Sequence, residues 1–186
     1  MRIISGAFKG RSIKFLKNSN TRPLKDNVRE NIFNVLRHSN RIKIEIEKSN
    51  VLDLYCGIGS FGIECLSRGA GQVTFIDQDL KASNILKENL AKLSVLNKSK
   101  FFLSKIEDIL IKDMNEKFNI FFLYPPFGNL DYLDNVKIIK EKKIFHKNNV
   151  VIVHREKSSK DKLEDSLEII ETKQYGRSKI LFGTFK

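Results

Sequence analysis

Two short segments hold the residues whose types and spacing could carry chemistry. The first is Asp53-Leu54-Tyr55-Cys56-Gly57-Ile58-Gly59-Ser60-Phe61-Gly62. It follows an apolar run and precedes a helical pattern, so it reads as a strand end, a glycine turn and a helix start. Gly57 and Gly59 let the backbone approach a ligand where a Cβ would collide, and Gly62 lets the helix lie close on a sheet. The spacing also matches the dinucleotide fingerprint, which is a weak signal alone. Asp53, inside the strand end, turns the choice. A carboxylate there can accept backbone N–H bonds and favours an ammonium or sulfonium, whereas it would be unhelpful beside a pyrophosphate. Asp77 closes the next apolar run, where an acid can accept both hydroxyls of an adenosine ribose. Tyr55 and Gln78, beside these acids, join the candidate set. Cys56 reads as small filler, because no His follows it in a supporting motif.

The second segment is Tyr124-Pro125-Pro126-Phe127, directly after the apolar run 118–123. Two prolines cannot continue a central strand, so they fix a stiff corner at its carboxyl end. They present carbonyls without competing N–H donors, and Phe127 can stack on a flat base. That combination suits methylation of an exocyclic amine. Such a nitrogen is a poor nucleophile, because its lone pair is delocalised into the ring. Accepting its two hydrogens tilts it toward tetrahedral geometry, and the lone pair can then attack a sulfonium methyl group. This is positioning and electrostatics, with no covalent intermediate.

Both segments need a scaffold that points them into one crevice, and the hydropathy pattern supplies it. Strands are expected at 51–54, 73–76, 100–103, 118–123 and 150–153, alternating with helices at 61–68, 80–93, 106–114 and 134–143. That alternation means a parallel, doubly wound sheet. Two final strands, 167–173 and 179–185, have no helix between them and should pair antiparallel at one side. Before this core, residues 2–16 alternate around Gly6 and Gly10 and suggest a β-hairpin. Residues 26–38 carry Val28, Ile32, Phe33, Val35 and Leu36 at helical spacing, with Asp26 as a cap.

The chain has 186 residues, fitting one domain, with a basic hairpin-and-helix extension at 1–45 and a ligand-binding core at 50–186. Its net charge is +12, distributed unevenly. Residues 1–50 hold 12 Lys+Arg against 4 Asp+Glu, while residues 51–130 hold 9 of each. A neutral middle behind a basic start suits a catalytic core with a polyanion-facing extension, although a Lys-rich composition alone would give similar charge. No apolar run is long enough for a membrane span, and the N-terminus has no secretory pattern. Two cysteines, Cys56 and Cys65, match neither a zinc motif nor a disulfide framework, which points to a reducing, cytoplasmic setting without metal.

With these residues in place, the chain resembles the 16S rRNA guanine-N2 methyltransferases of the RsmD type over its full length. The resemblance is carried by Arg2-Ile3-Ile4-Ser5-Gly6 with Lys9-Gly10-Arg11, by Thr21-Arg22-Pro23 through Asn34, by 51–64 with Leu66-Ser67-Arg68-Gly69-Ala70, and by Gln174-Tyr175-Gly176. It implies a Rossmann-like class I methyltransferase fold, a seven-stranded sheet with one antiparallel strand. It implies S-adenosylmethionine as methyl donor, and 16S rRNA or the small ribosomal subunit as partner of a monomeric enzyme. Asp53, Gly57 and Gly59 would line the methionine side, and Asp77 would bind the ribose. Glu107 or Asp108 would meet the adenine amine. Arg22 and Arg29 would contact cofactor carboxylate or RNA phosphate, with Arg2, Lys9 and Arg11 on the RNA side. The family has Asp or Asn before the prolines where this chain has Tyr124, and Leu24 and Asn27 also depart from its pattern. Two other readings therefore stand beside it: an RNA-binding or ribosome-assembly homologue without turnover, and a methyltransferase for another amine such as adenine N6.

Overall fold

The apolar runs of the core fold into seven strands: β1 (Asn50–Leu54), β2 (Gln72–Asp77), β3 (Ser99–Leu103), β4 (Phe118–Leu123), β5 (Phe145–Glu156), β6 (Glu168–Tyr175) and β7 (Ser178–Thr184). Among the described residues five α-helices accompany them: α1 (Asp26–His38), α2 (Ser60–Ser67), α3 (Leu80–Lys92), α4 (Ile106–Ile111) and α5 (Tyr132–Lys142). The computed structural model describes residues 1–16, 24–112, 114 and 116–186. The strands form one sheet in the order β3-β2-β1-β4-β5-β7-β6. β1 to β5 pair in parallel, and β7 runs antiparallel to both β5 and β6. The expected doubly wound sheet with one antiparallel strand is the observed architecture. Chain direction around the sheet reverses between β1 and β4, so the crevice of a doubly wound fold opens at their carboxyl ends.

Alternation along the strands divides the core. Val51, Ile120, Phe122, Val150 and Ile152 face α1, α2, α3 and the N-terminal segment. Leu52, Leu54, Phe121, Leu123, Val151 and Val153 face the layer containing α4 and α5. Strands buried on both faces are what a parallel sheet with helices on each side demands. On the first face a column of stacked rings joins α1 to the sheet. Phe33 lies 5.2 Å from Phe61 of α2, and Phe61 lies 4.1 Å from Phe122 of β4.

The structure corrects three expectations. The N-terminal hairpin shrinks to a single antiparallel bridge, Arg2 with Ser12. Backbone bonds from the N–H groups of Ile3, Gly10 and Ile13 still join its arms, while those of Ile4 and Ser5 donate to the Glu64 carboxylate, both at 2.9 Å. Asp26 begins α1 and does not cap it; Lys25 sits at the cap, and Asp26 pairs with Arg29 at 3.0 Å. Finally, β5 has 12 residues, running through polar positions on either side of its apolar centre.

Candidate active site

The glycine turn is built by contacts reaching from three elements. Asp53 is buried at the end of β1, and its Oδ2 accepts the Gly62 N–H at 2.9 Å. That bond ties the first turn of α2 to the strand beneath it. Asp53 Oδ1 has no hydrogen-bond partner among the described residues. Burial pushes the Asp53 carboxyl up to about 8, with the Gly62 bond opposing and the Asp77 charge adding to the rise. Gly57 and Gly59 take φ of +54° and +76°, as a close left-handed turn requires. Tyr55 also takes positive φ, +58°, and its hydroxyl accepts a bond from Asn135 of α5 at 2.9 Å. Burial pushes the Tyr55 phenol up to about 12, so it stays protonated.

The glycines serve different ends. A Cβ on Gly62 would sit 2.3 Å from Phe75 Cε1 and 2.8 Å from Val73 Cγ1, so this glycine lets α2 rest on β2. A Cβ on Gly57 would meet nothing within 4 Å. We therefore expect Gly62→Ala to lower folding stability by about 1–3 kcal/mol through overpacking. Gly57→Ala should cost only about 1 kcal/mol of left-handed strain, yet weaken roughly tenfold the binding of S-adenosylhomocysteine, a stable probe for the cofactor that the resemblance implies. Urea unfolding and calorimetric titration of both variants would separate the two roles; equal stability losses would contradict the division.

Asp77 closes β2 and holds the other side of the turn. Its Oδ2 accepts the Gly57 N–H at 2.7 Å, and its Oδ1 accepts the Asp79 N–H at 2.8 Å. Burial raises its pKa, while these two N–H bonds pull it back. Each carboxylate oxygen keeps a second lone pair, so the group can still accept from a diol. Asp79 caps α3 through the N–H groups of Lys81 and Ala82. Burial also pushes the Cys56 thiol well up, which makes it an inert filler and no nucleophile.

Tyr55, Cys56, Gly57, Asp77 and Asp79 line a cavity of about 640 Å³ together with Gln78, Glu107 and the whole corner Tyr124, Pro125, Pro126 and Phe127. That size lies within the range of roughly 300–1,000 Å³ of small-molecule sites. The glycine turn and the proline corner, separate in sequence, thus share one crevice. Asp53 and Gly59 lie behind its wall, and Asp108 is exposed outside it. Of the acid pair after β3, Glu107 alone faces the cavity. Sequence reasoning missed Phe15, Leu16 and Leu24, which carry the N-terminal segment into the cavity wall. The bond pair between Asn89 of α3 and the Lys14 backbone, 2.8 and 3.0 Å, fixes that segment. In the sequence, the apolar pair Phe15-Leu16 directly before the polar run 17–22 is the signal that could have marked it.

The basic residues divide. Arg2, Lys9 and Arg11 are exposed, and Arg11 lies over the Phe8 ring at 5.5 Å. Arg29 is 1% exposed and donates to the Arg2 carbonyl at 2.5 Å and to Asp26, which removes it from the RNA-facing set. Its place on the apolar face of α1 beside Ile32 and Phe33 explains the burial. Arg22, with Thr21 and Pro23, lies outside the described residues. Among the described residues there is no cluster of three or more acidic, His or Cys side chains able to hold a metal ion, and no helix long and apolar enough to cross a membrane.

Comparison with known proteins agrees with this architecture. The family described as conserved hypothetical protein 95 matches residues 1–184. The ribosomal RNA small subunit methyltransferase D of Buchnera aphidicola subsp. Baizongia pistaciae is 32% identical over 88% of this chain and 79% of its own. The solved yhhF protein of Escherichia coli is 25% identical, with a TM-score of 0.85, covering 100% of this chain and 98% of that one. The ribosomal protein L11 methylase of Lactobacillus delbrueckii subsp. bulgaricus, 16% identical over 83% of this chain and 76% of that one, shares the fold at a TM-score of 0.63. With its class I methyltransferase sheet, the chain belongs to the conserved hypothetical protein 95 family, alongside the ribosomal RNA small subunit methyltransferases D.

Proposed function

We propose that the chain transfers a methyl group from S-adenosylmethionine to the exocyclic N2 of a guanine in 16S rRNA. The coarser statement, a methyltransferase acting on ribosomal RNA, rests on family membership. Methyl transfer to an exocyclic amine is supported by a single observation, one cavity walled by both the Asp77–Gly57 turn and the Tyr124-Pro125-Pro126-Phe127 corner, and guanine N2 is what the resemblance to the guanine-N2 methyltransferases implies.

The residues present fit the cofactor. Gly57 leaves open space where a side chain would stand, Asp77 retains acceptor capacity, and the buried carboxyl of Asp53 underlies the turn. When bound, S-adenosylmethionine supplies an electrophilic methyl group on a sulfonium. Asp77 would accept the ribose hydroxyls, with Gln78 beside it, and Glu107 would meet the adenine amine. Tyr55 and the glycine turn would enclose the methionine end.

The corner's task is to orient the acceptor. The Pro125 carbonyl accepts one amine hydrogen, Tyr124 or its surroundings the second, and Phe127 stacks on the base. The Pro126 carbonyl is engaged by Arg155 and by the Asn129 N–H, so Pro125 is the carbonyl assigned to substrate. Exposed Arg2, Lys9 and Arg11 would grip phosphates.

Tritium transfer to unmodified small ribosomal subunits, with mass mapping of the product base, tests the proposal directly. We expect N2-methylguanine and an RNA affinity that weakens at least about tenfold between roughly 50 and 200 mM salt. Tyr124→Asp separates turnover from mere binding. A wild type that transfers nothing while Tyr124→Asp transfers well would overturn catalysis by the native corner. Label appearing on adenine would overturn the acceptor.

A further inference from the structure

We propose that Arg155 is the positioning residue of the proline corner, locking the Pro125–Pro126 carbonyl geometry from the neighbouring strand. Pairing between β4 and β5 ends at Leu123 with Val153. Yet β5 continues to Glu156, held by β7, so Arg155 pairs with Lys179 and stands beside a corner that has left the sheet. A proline corner has few N–H groups with which to anchor itself, so an outside donor must hold it.

Arg155 is that donor. It is 2% exposed. Its Nη1 donates to the Pro126 carbonyl at 3.3 Å, and its Nε donates to Asp161 Oδ2 at 2.6 Å. Its guanidinium lies 4.7 Å from the centre of the Tyr132 ring, and the Tyr132 hydroxyl donates to the same Asp161 oxygen at 2.8 Å. Tyr132 opens α5, so one guanidinium fixes the connection after β4 both at its corner and at its far end. On the opposite face His154 packs its ring 4.1 Å from that of Tyr124. Two consecutive residues of β5 thus clamp the corner from both sides.

Burying a guanidinium costs more than burying an apolar side chain of the same volume, so stability alone does not explain its presence. What the fork supplies is direction: Nε and Nη1 reach a carboxylate and a carbonyl from one rigid plane. A lysine ammonium is a point charge without that plane and cannot reproduce both bonds.

The catalytic consequence rests on the methyl-transfer reading, while the ordering of the corner does not, and the test keeps them apart. The chain has no tryptophan, so Phe127→Trp places a single indole on the corner. In that background we expect Arg155→Lys and Asp161→Asn to lower indole anisotropy. In the Phe127 background, both variants should bind S-adenosylhomocysteine within about twofold of wild type. They should lose roughly 100-fold in kcat for small-subunit RNA with KM changed far less, as misplacement of reacting groups by about 1 Å produces. Unchanged anisotropy in both variants overturns the assignment, whether or not the wild type methylates RNA. Lowered anisotropy with kcat unchanged overturns the catalytic part. A wild type inactive on every ribosomal RNA, with anisotropy lowered in the variants, sinks the functional reading and upholds the ordering role.

Discussion

Glu64→Ala is expected to remove about 3–5 kcal/mol of folding free energy, because it takes the buried central anion out of a charge cluster that holds the buried Arg29. The Glu64 side chain is 0% exposed in α2. Its carboxylate accepts from the N–H groups of Ile4 and Ser5, from Arg68 Nε at 3.0 Å and Nη2 at 2.9 Å, and it faces Arg29 Nε at 3.8 Å. Without it, Arg29 is left 1% exposed with Asp26 as its remaining anion, and Asp26 is itself 59% exposed. Burial already lowers the Arg29 pKa, with the Glu64 and Asp26 charges opposing. Two backbone donors would also lose their acceptor, at about 1–3 kcal/mol each where water cannot replace it. The damage should spread toward the cavity, because the N-terminal segment that Glu64 holds continues to Phe15 and Leu16 in its wall. Urea unfolding would measure the loss, and hydrogen exchange at Ile4 and Ser5 would show where it begins. Arg29→Ala should cost less in the Glu64→Ala background than alone, since the pair acts as a unit. An unfolding free energy within about 0.5 kcal/mol of wild type would contradict this account.

This cluster also shows where sequence reading stops. The apolar spacing on α1 was legible, because Val28, Ile32, Phe33 and Leu36 repeat as a helix face must, and that helix is found at Asp26–His38. The glycine turn was legible because only a small residue fits at Gly62 and only a carboxylate among its neighbours can hold the turn. Glu64, by contrast, reads as an ordinary charge on a short helix. What buries it is a segment 60 residues away, and no local period records that. Arg29 was misplaced for a related reason. Its charge outweighed its position, although the periodicity that buries Ile32 and Phe33 also turns Arg29 inward.

The same contrast holds at the corner. Pro125 and Pro126 announce themselves through what they forbid. Arg155 and Asp161 do not, since their chemistry arises from β5 outlasting its pairing with β4, a consequence of β7 entering the sheet between β5 and β6. Apolar content marked only the centre of β5. His154 and Arg155 belong to the strand through pairing with β7, and the stretch from His146 to Asn149 lies in an irregularity of the β4–β5 pairing where the Asn149 side chain donates to the His146 and Phe185 carbonyls, none of which hydropathy encodes.

The pH dependence of stability should expose two buried groups working in opposite directions. His154 is 3% exposed, and neither ring nitrogen has a hydrogen-bond partner among the described residues. Burial, with the adjacent Arg155 charge, lowers its pKa from 6.5 to about 4. The open chain therefore binds a proton between pH 6.5 and 4 that the folded chain refuses. Stability from His154 is complete above 6.5 and is lost as pH falls through 4, on the order of 3 kcal/mol in all. Asp53 acts the other way, because burial raises its pKa from 3.8 to about 8. Its contribution is complete below 3.8 and is lost as pH rises through 8. Between 4 and 6.5 the two slopes oppose each other, so their joint effect is flat; from 6.5 to 8 Asp53 acts alone and stability declines. The variants unmask each part. Urea unfolding across this range should show the wild-type advantage over His154→Phe growing with pH up to 6.5 and then holding constant. The wild-type advantage over Asp53→Asn should shrink steadily toward pH 8. Because the His154 ring packs against Tyr124, its protonation would set a second cation beside Arg155 beneath the corner, so acid loosening should begin there. A His154→Phe difference curve that is flat from pH 4 to 6.5 would show that this imidazole titrates as freely in the folded chain as in the open one.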